Sequence, residues 1–205
     1  MKKIVIPVLM AAGILAMSSC KKDVVKNLEG DEGQIYITNH ADSVNFSSFK
    51  TFSIADSVAV IENNRLLGKE LSASDAAYIQ AVKDQLTQRG YTLVSKDQNP
   101  DLGITVSQVY NTSTGVIDYG SYYGAYDPYY WGYGGYGYYY PSYGTYSITE
   151  GAMSIDVFDL KDAKESSKIG DIWSGLLRGT GVFSVSAANN GVKALFDQSS
   201  YFKAS

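Results

Sequence analysis

One cysteine, one histidine and a dense run of tyrosines are the residues of this chain best suited to chemistry. Cys20 closes an apolar stretch, residues 4–17, and follows Ser18-Ser19. With no second cysteine it can form no intramolecular disulfide, so the domain must be stabilised without one. His40 has neither a cysteine nor a second histidine to share a metal with, so no metal site is expected. A serine hydrolase would have to use His40 as its base, and no Gly-x-Ser-x-Gly turn accompanies it. It reads as a solvent-exposed loop residue. Asp156 and Asp159, three apart on a strand, point to opposite faces and make a poor acid–base pair. Gly179-Thr180-Gly181 lacks the third glycine and the helix start that a phosphate cradle needs. No catalytic residue is expected, and no cofactor beyond a lipid held covalently on Cys20.

The tyrosines concentrate in one place. Thirteen of the chain's 18 lie within residues 119–146, interleaved with glycine, and Asp127 is the sole charge there. So much glycine disfavours a regular helix, and the run falls between two predicted strands, so it reads as a long hairpin loop. Loops of this length are usually functional or disordered. A tyrosine offers an apolar ring with a polar tip, which suits sugar stacking, a membrane surface or a protein partner. The candidate ligand-contacting residues are its densest points: Tyr122, Tyr123, Tyr129, Tyr130, Trp131, Tyr138, Tyr139 and Tyr140. The plainer reading is a tolerated low-complexity loop without a ligand. Nucleic acid is excluded as a partner, because base stacking needs a cationic groove and the chain carries a net charge of −4 with no basic run.

The elements that must carry these residues begin with the amino terminus. Lys2 and Lys3 precede the apolar run, which falls short of the about 20 residues a membrane-spanning helix needs. A positive start, a short apolar core and small residues before a cysteine resemble a lipobox. Residues 1–19 are therefore expected to be a lipoprotein signal peptide, and Cys20 the site of lipidation by a diacylglycerol and an acyl chain such as palmitate. Lys21 after the cysteine, where aspartate marks inner-membrane retention, favours the outer membrane; the side exposed stays open. Residues 20–34, polar and charged, form a tether, and residues 35–205 form one domain with the insertion at 112–146.

Within that domain Ile35-Tyr36-Ile37-Thr38 reads as a short strand, and Phe49-Lys50-Thr51-Phe52-Ser53-Ile54 alternates as a half-buried strand does. Ser72-Ala73-Ser74-Asp75 looks like a helix start. Ile79, Val82 and Leu86 follow at helical spacing, and Arg89-Gly90 ends the helix. Tyr91-Thr92-Leu93-Val94 and the Leu102, Ile104, Val106 alternation give two more strands, with a turn at Asn99-Pro100-Asp101 between them. Residues 153–160 and 169–177 pair as a hairpin. Val192, Leu195, Phe196 and Phe202 mark a terminal amphipathic helix. The order predicts an α+β domain, an antiparallel sheet with two helices packed on one face.

Phe49-Lys50-Thr51-Phe52, Arg89-Gly90-Tyr91, Pro100-Asp101-Leu102, Ile155-Asp156-Val157-Phe158-Asp159 and Ile172-Trp173-Ser174-Gly175 together resemble the domain of unknown function 4136 family of bacterial envelope lipoproteins. The resemblance spans residues 46–203. It implies an envelope lipoprotein and supplies no activity, and its motifs read as fold determinants, with Asp101 bonding a turn and Trp173 packing. The leading expectation is a lipid-anchored, non-catalytic binding or scaffolding domain that contacts envelope glycan, a membrane surface or an envelope protein through the tyrosines. A purely structural or assembly subunit is the alternative, and a carboxylate-dependent enzyme the third.

Overall fold

The computed structural model describes residues 33–63, 65–110, 112–115, 137–139, 146–148 and 151–205. Three long strands make its spine: β6 (Leu102–Tyr110), β10 (Ala152–Asp159) and β11 (Lys168–Arg178), each antiparallel to the next. Shorter strands flank them on both sides. β1 (Ile35–His40) lies against one half of β11, and β8 (Gly137–Tyr139) pairs parallel with Lys168–Gly170 at its other half. On the opposite side β2 (Thr51–Ile54) and β3 (Val58–Glu62) run in succession along β6, both parallel to it. The Ala55 amide donates to the Ile104 carbonyl at 2.9 Å, which carries the ladder through the kink between β2 and β3. β4 (Arg65–Glu70) and β5 (Thr92–Leu93) sit outside β3 and β2. β7 (Thr112–Gly115) and β9 (Tyr146–Ile148) pair separately.

The α+β layering expected from the element order is present. The sheet itself is mixed, antiparallel through its spine and parallel at both flanks. Parallel neighbours need a crossover, and helix α1 (Ala73–Gln88) supplies the one between β2 and β5. The β3–β4 hairpin is an element the sequence reading missed. Its turn has an intelligible signal in Asn63, which adopts φ 50°, a conformation asparagine tolerates.

Helix α1 starts where Ser72 and Asp75 cap each other reciprocally: the Ser72 hydroxyl accepts from the Asp75 amide, and the Asp75 carboxylate accepts from the Ser72 amide at 2.8 Å. It ends at Gly90, whose φ of +90° is the left-handed C-cap that the Arg89-Gly90 pair predicts. A four-residue helix α2 (Ala163–Ser166) turns the chain between β10 and β11. Helix α3 (Val185–Asp197) then packs on α1, β11 and β1. Gly191 lets α3 settle on the sheet, because a Cβ there would collide with Leu177.

Period-two alternation decides what faces these helices. Leu102, Ile104 and Val106 of β6, Met153, Ile155 and Val157 of β10, and Trp173 and Leu177 of β11 share the core with Tyr78, Val82, Leu86, Val192, Leu195 and Phe196. Phe202 belongs to that core but not to the helix. The chain turns after Asp197 and returns Phe202 inward, with its ring 5.5 Å from Trp173 and 4.6 Å from Phe46.

Arg89 locks that return. Its guanidinium donates to the carbonyls of Ser199 and Phe202, both at 3.1 Å, and of Phe196 at 2.6 Å, and it lies 5.2 Å over the Phe196 ring. The Phe196 carbonyl also accepts from the Ser199 amide at 2.9 Å and the Ser199 carbonyl from the Phe202 amide at 3.0 Å, and the planar fork adds a charged donor to all three carbonyls at once. Arg89→Lys keeps the charge and loses the fork, so the variant should lose about 2 kcal/mol of stability, read by urea denaturation. Unchanged stability would mean that the guanidinium fork adds nothing beyond the backbone donors.

Candidate functional site

Each residue singled out above now has a place. Trp173 stacks on Phe196 with centroids 5.1 Å apart, and its indole nitrogen donates to the Ser199 hydroxyl at 2.9 Å. The Asp101 carboxylate accepts from the amides of Lys50 at 2.6 Å and Thr51 at 3.1 Å, and the Thr51 hydroxyl accepts from the Asp101 amide at 3.0 Å. Its carbonyl takes the amides of Leu160 and Lys161. One aspartate therefore ties together the ends of β2, β6 and β10, which is why the Phe49-Lys50-Thr51-Phe52 and Pro100-Asp101-Leu102 motifs belong to one construction. His40 is exposed at the end of β1, with its ring centroid 4.3 Å from that of Tyr201.

Gly179, with φ +123°, is needed for a close approach: a side chain there would strike the Gly33 carbonyl. That accounts for the glycine without a phosphate. The buried phenols are structural as well. Tyr78 donates to the Val182 carbonyl at 2.6 Å and Tyr91 to that of Phe46 at 3.0 Å, and burial pushes both pKa values upward, so both act as neutral donors.

Asp156 and Asp159 do point apart. Asp156 stands abreast of Thr105 and Ser174 on the face away from the helices, and Asp159 abreast of Leu102 and Gly170. The row around Asp156 departs from what alternation suggests. Thr105, Ser107, Ser154, Asp156 and Ser174 all sit on that second face, and none is more than 9% exposed. The Ser154 hydroxyl donates to Asp156 at 2.9 Å. A polar alternate face usually meets water. Here it is a buried polar layer, which sequence reasoning missed because alternation shows which residues share a face and not whether that face is covered.

Asp159 borders an open cleft of ≈ 260 Å³ at the end of the sheet, among Ser43, Val44, Asp162, Ser166, Lys168 and Ile172. Its carboxylate accepts from the Asp162 amide at 3.1 Å, so it shapes the turn into α2. Burial pushes its pKa above the usual carboxylate range, assisted by the Asp162 charge and opposed by backbone hydrogen bonds from Asp162 and Lys161 and by the charge of Lys161. The cleft offers a small apolar hollow rimmed by carboxylates and one ammonium, a geometry for holding a ligand. Among the described residues no group of three or more His, Cys, Asp or Glu could hold a metal ion.

Cys20 and Tyr122, Tyr123, Tyr129, Tyr130, Trp131 and Tyr140 lie outside the described residues. The backbones of Tyr138 and Tyr139 are described, in β8. The stem that carries the insertion is well defined. Val109 and Ala152 are direct neighbours across β6 and β10, so the insertion leaves and rejoins the middle of the sheet. The rings of Tyr110 and Phe183 lie 5.1 Å apart beside Gly151, whose φ is +90°. No helix among the described residues is long and apolar enough to cross a membrane.

The sequence matches the model of a domain of unknown function, DUF4136, over residues 37–199. The chain belongs to the DUF4136 family. It is similar to the crystal structure of a DUF4136 family protein from Bacteroides thetaiotaomicron, at 25% identity and a TM-score of 0.62, covering 83% of this chain and 98% of that one. A PelC dodecamer structure from Paraburkholderia phytofirmans matches at 10% identity and a TM-score of 0.42, over 83% of this chain and 98% of that one. A PDZ domain protein from Parabacteroides distasonis matches at 14% identity and a TM-score of 0.44, over 83% of this chain and 37% of that one. No curated protein matches the chain.

The raised pKa of Asp159 has a sign that can be tested. Its folded-state pKa lies above the unfolded value, so the contribution to stability is intact at low pH and is lost as pH rises through the folded pKa. Asp159→Asn retains an acceptor for the Asp162 amide and removes the charge. Its melting temperature relative to the parent should therefore climb between about pH 4 and about pH 7. A difference that stays flat across that range would contradict the shift.

Proposed function

We propose that this DUF4136 protein is a lipid-anchored lipoprotein of the cell envelope, held at the outer membrane through Cys20, with a non-catalytic domain that binds or scaffolds an envelope component. The Cys20 segment supports the anchor. Two acyl chains on one cysteine hold far more firmly than a single chain, which binds only marginally. The observation that carries the binding reading is the stem at Val109 and Ala152. A tyrosine-rich segment of 13 such residues hangs between the two neighbouring strands of the sheet's spine, the position of a functional loop on a rigid scaffold. Its chemistry suits envelope glycan, lipid headgroups or a neighbouring envelope protein.

Labelling cells with a palmitate analogue should mark the parent chain, and the label should vanish in Cys20→Ala. Persistent label in that variant would remove the anchor from the proposal. The binding half is read by co-sedimentation of the protein with purified sacculi and with outer-membrane vesicles. The comparison is a variant in which Tyr122, Tyr123, Tyr129, Tyr130, Trp131 and Tyr140 become serine, leaving β8 in place on β11. Pelleting lost with those rings supports binding and identifies the ligand class. Pelleting and partners unchanged by the substitutions would favour a structural or assembly subunit in their place.

A further inference from the structure

Residues 20–34 lead into the domain at one end of the sheet, and the last two of them are held there. Gly33 passes so close to Gly179 that a side chain on Gly179 would strike the Gly33 carbonyl. The Gln34 side-chain amide donates to the Thr180 carbonyl at 3.2 Å. The next residue, Ile35, stands in one row with Arg178, Ala152 and Val109 across β1, β11, β10 and β6. Helix α3 starts beside that row, because a turn of six residues, 179–184, is all that separates it from β11.

Two apolar side chains flank this entry and face solvent. Ile35 is 47% exposed, and Val185, the first residue of α3, is 50% exposed. From Gly179 to Val192 no residue carries a charge. Glu62 and Arg65 of the β3–β4 turn belong to this end too, at the opposite flank of the sheet. The other end has a different character. Its row is Leu93, Phe52, Leu102, Asp159 and Gly170. The turns beside that row carry Lys96, Asp97, Asp101, Lys161, Asp162 and Glu165.

We propose that the end of the domain built from Ile35, the turn 179–184 and Val185 rests on the lipid surface that holds Cys20, with both apolar side chains at headgroup depth. The inference rests on the lipid anchor proposed above and adds the orientation of the domain. Twelve residues, 21–32, separate Cys20 from Gly33, a span of at most about 45 Å. The strand β10 is about 23 Å long, so length alone lets either end approach the membrane. Chemistry selects between them. The entry end offers apolar side chains and an uncharged turn, whereas the far end would press charged turns into the interface at a cost in hydration. Two half-exposed side chains would not hold a free protein on a bilayer. Tethering makes their encounter with it intramolecular, so a weak apolar contact suffices.

The test uses the purified full chain, floated with vesicles of phosphatidylethanolamine and phosphatidylglycerol that contain a spin-labelled lipid. Ile35→Cys, Val185→Cys and Leu93→Cys each add one thiol, which carries a fluorophore, to a chain whose Cys20 is blocked by lipid. Leu93, 46% exposed at the far end, is the control for exposure alone. Circular dichroism checks that each variant is folded. Emission should be quenched at positions 35 and 185 and stay bright at 93. A chain that floats without quenching at 35 and 185, or with equal quenching at 93, would overturn the docking and leave the anchor standing. A chain that does not float would overturn both.

Discussion

Three carbonyls, that of Phe196 at the end of the last helix and those of Ser199 and Phe202 beyond it, converge on one guanidinium that belongs to the end of the first. Arg89 caps α3 from outside, and its own carbonyl accepts from the Ala204 amide at 2.9 Å, so the segment after α3 is gripped at both its start and its finish. The return of that segment brings Ser199 under the Trp173 indole and Phe202 among Phe46, Tyr91, Trp173 and Phe196. The helical layer and the centre of the core are in this way made mutually dependent. Desolvation lowers the Arg89 pKa, while the charge on Asp197 raises it. Even so, an arginine stays protonated across the physiological pH range, and a lysine would not share that security.

Asp101 performs a comparable service at the other end of the sheet, where strands from three parts of the chain must begin or end in register. A carboxylate accepting two backbone amides holds the start of β2, and the carbonyl of the same residue holds the end of β10. With Arg89 and Asp101 in these roles, the scattered short motifs of the DUF4136 family make sense as joints. In this chain they fix where elements meet.

The legibility of the sequence follows from the range of each signal. The capping pair Ser72 and Asp75, the C-cap at Gly90 and the alternation of β6, β10 and β11 are local patterns, and all are found in the structure. Parallel pairing of β2 and β3 along β6 depends on partners about fifty residues distant, and no local pattern encodes it. By sequence Phe202 groups with α3, because its hydrophobicity is visible while the turn at Ser199 is not. The polar layer around Asp156 has the same origin, since burial is decided by what lies over a strand. Cys20 and most of the candidate tyrosines rest on residue type alone.

The stem at Val109 and Ala152 has a consequence for how such proteins vary. The two ends of the insertion are already held side by side by the ladder between β6 and β10, so chain length enters mainly through the entropy of closing the loop. That cost grows with the logarithm of length, and doubling the segment adds only about 0.6 kcal/mol. Outside β7, β8 and β9, residues can thus be gained, lost or exchanged between these strands with little penalty to the fold beneath. The joints at Arg89 and Asp101 have no such freedom. Divergence within the family should accordingly collect at this one seam, where length and composition drift while the strands on either side keep their register.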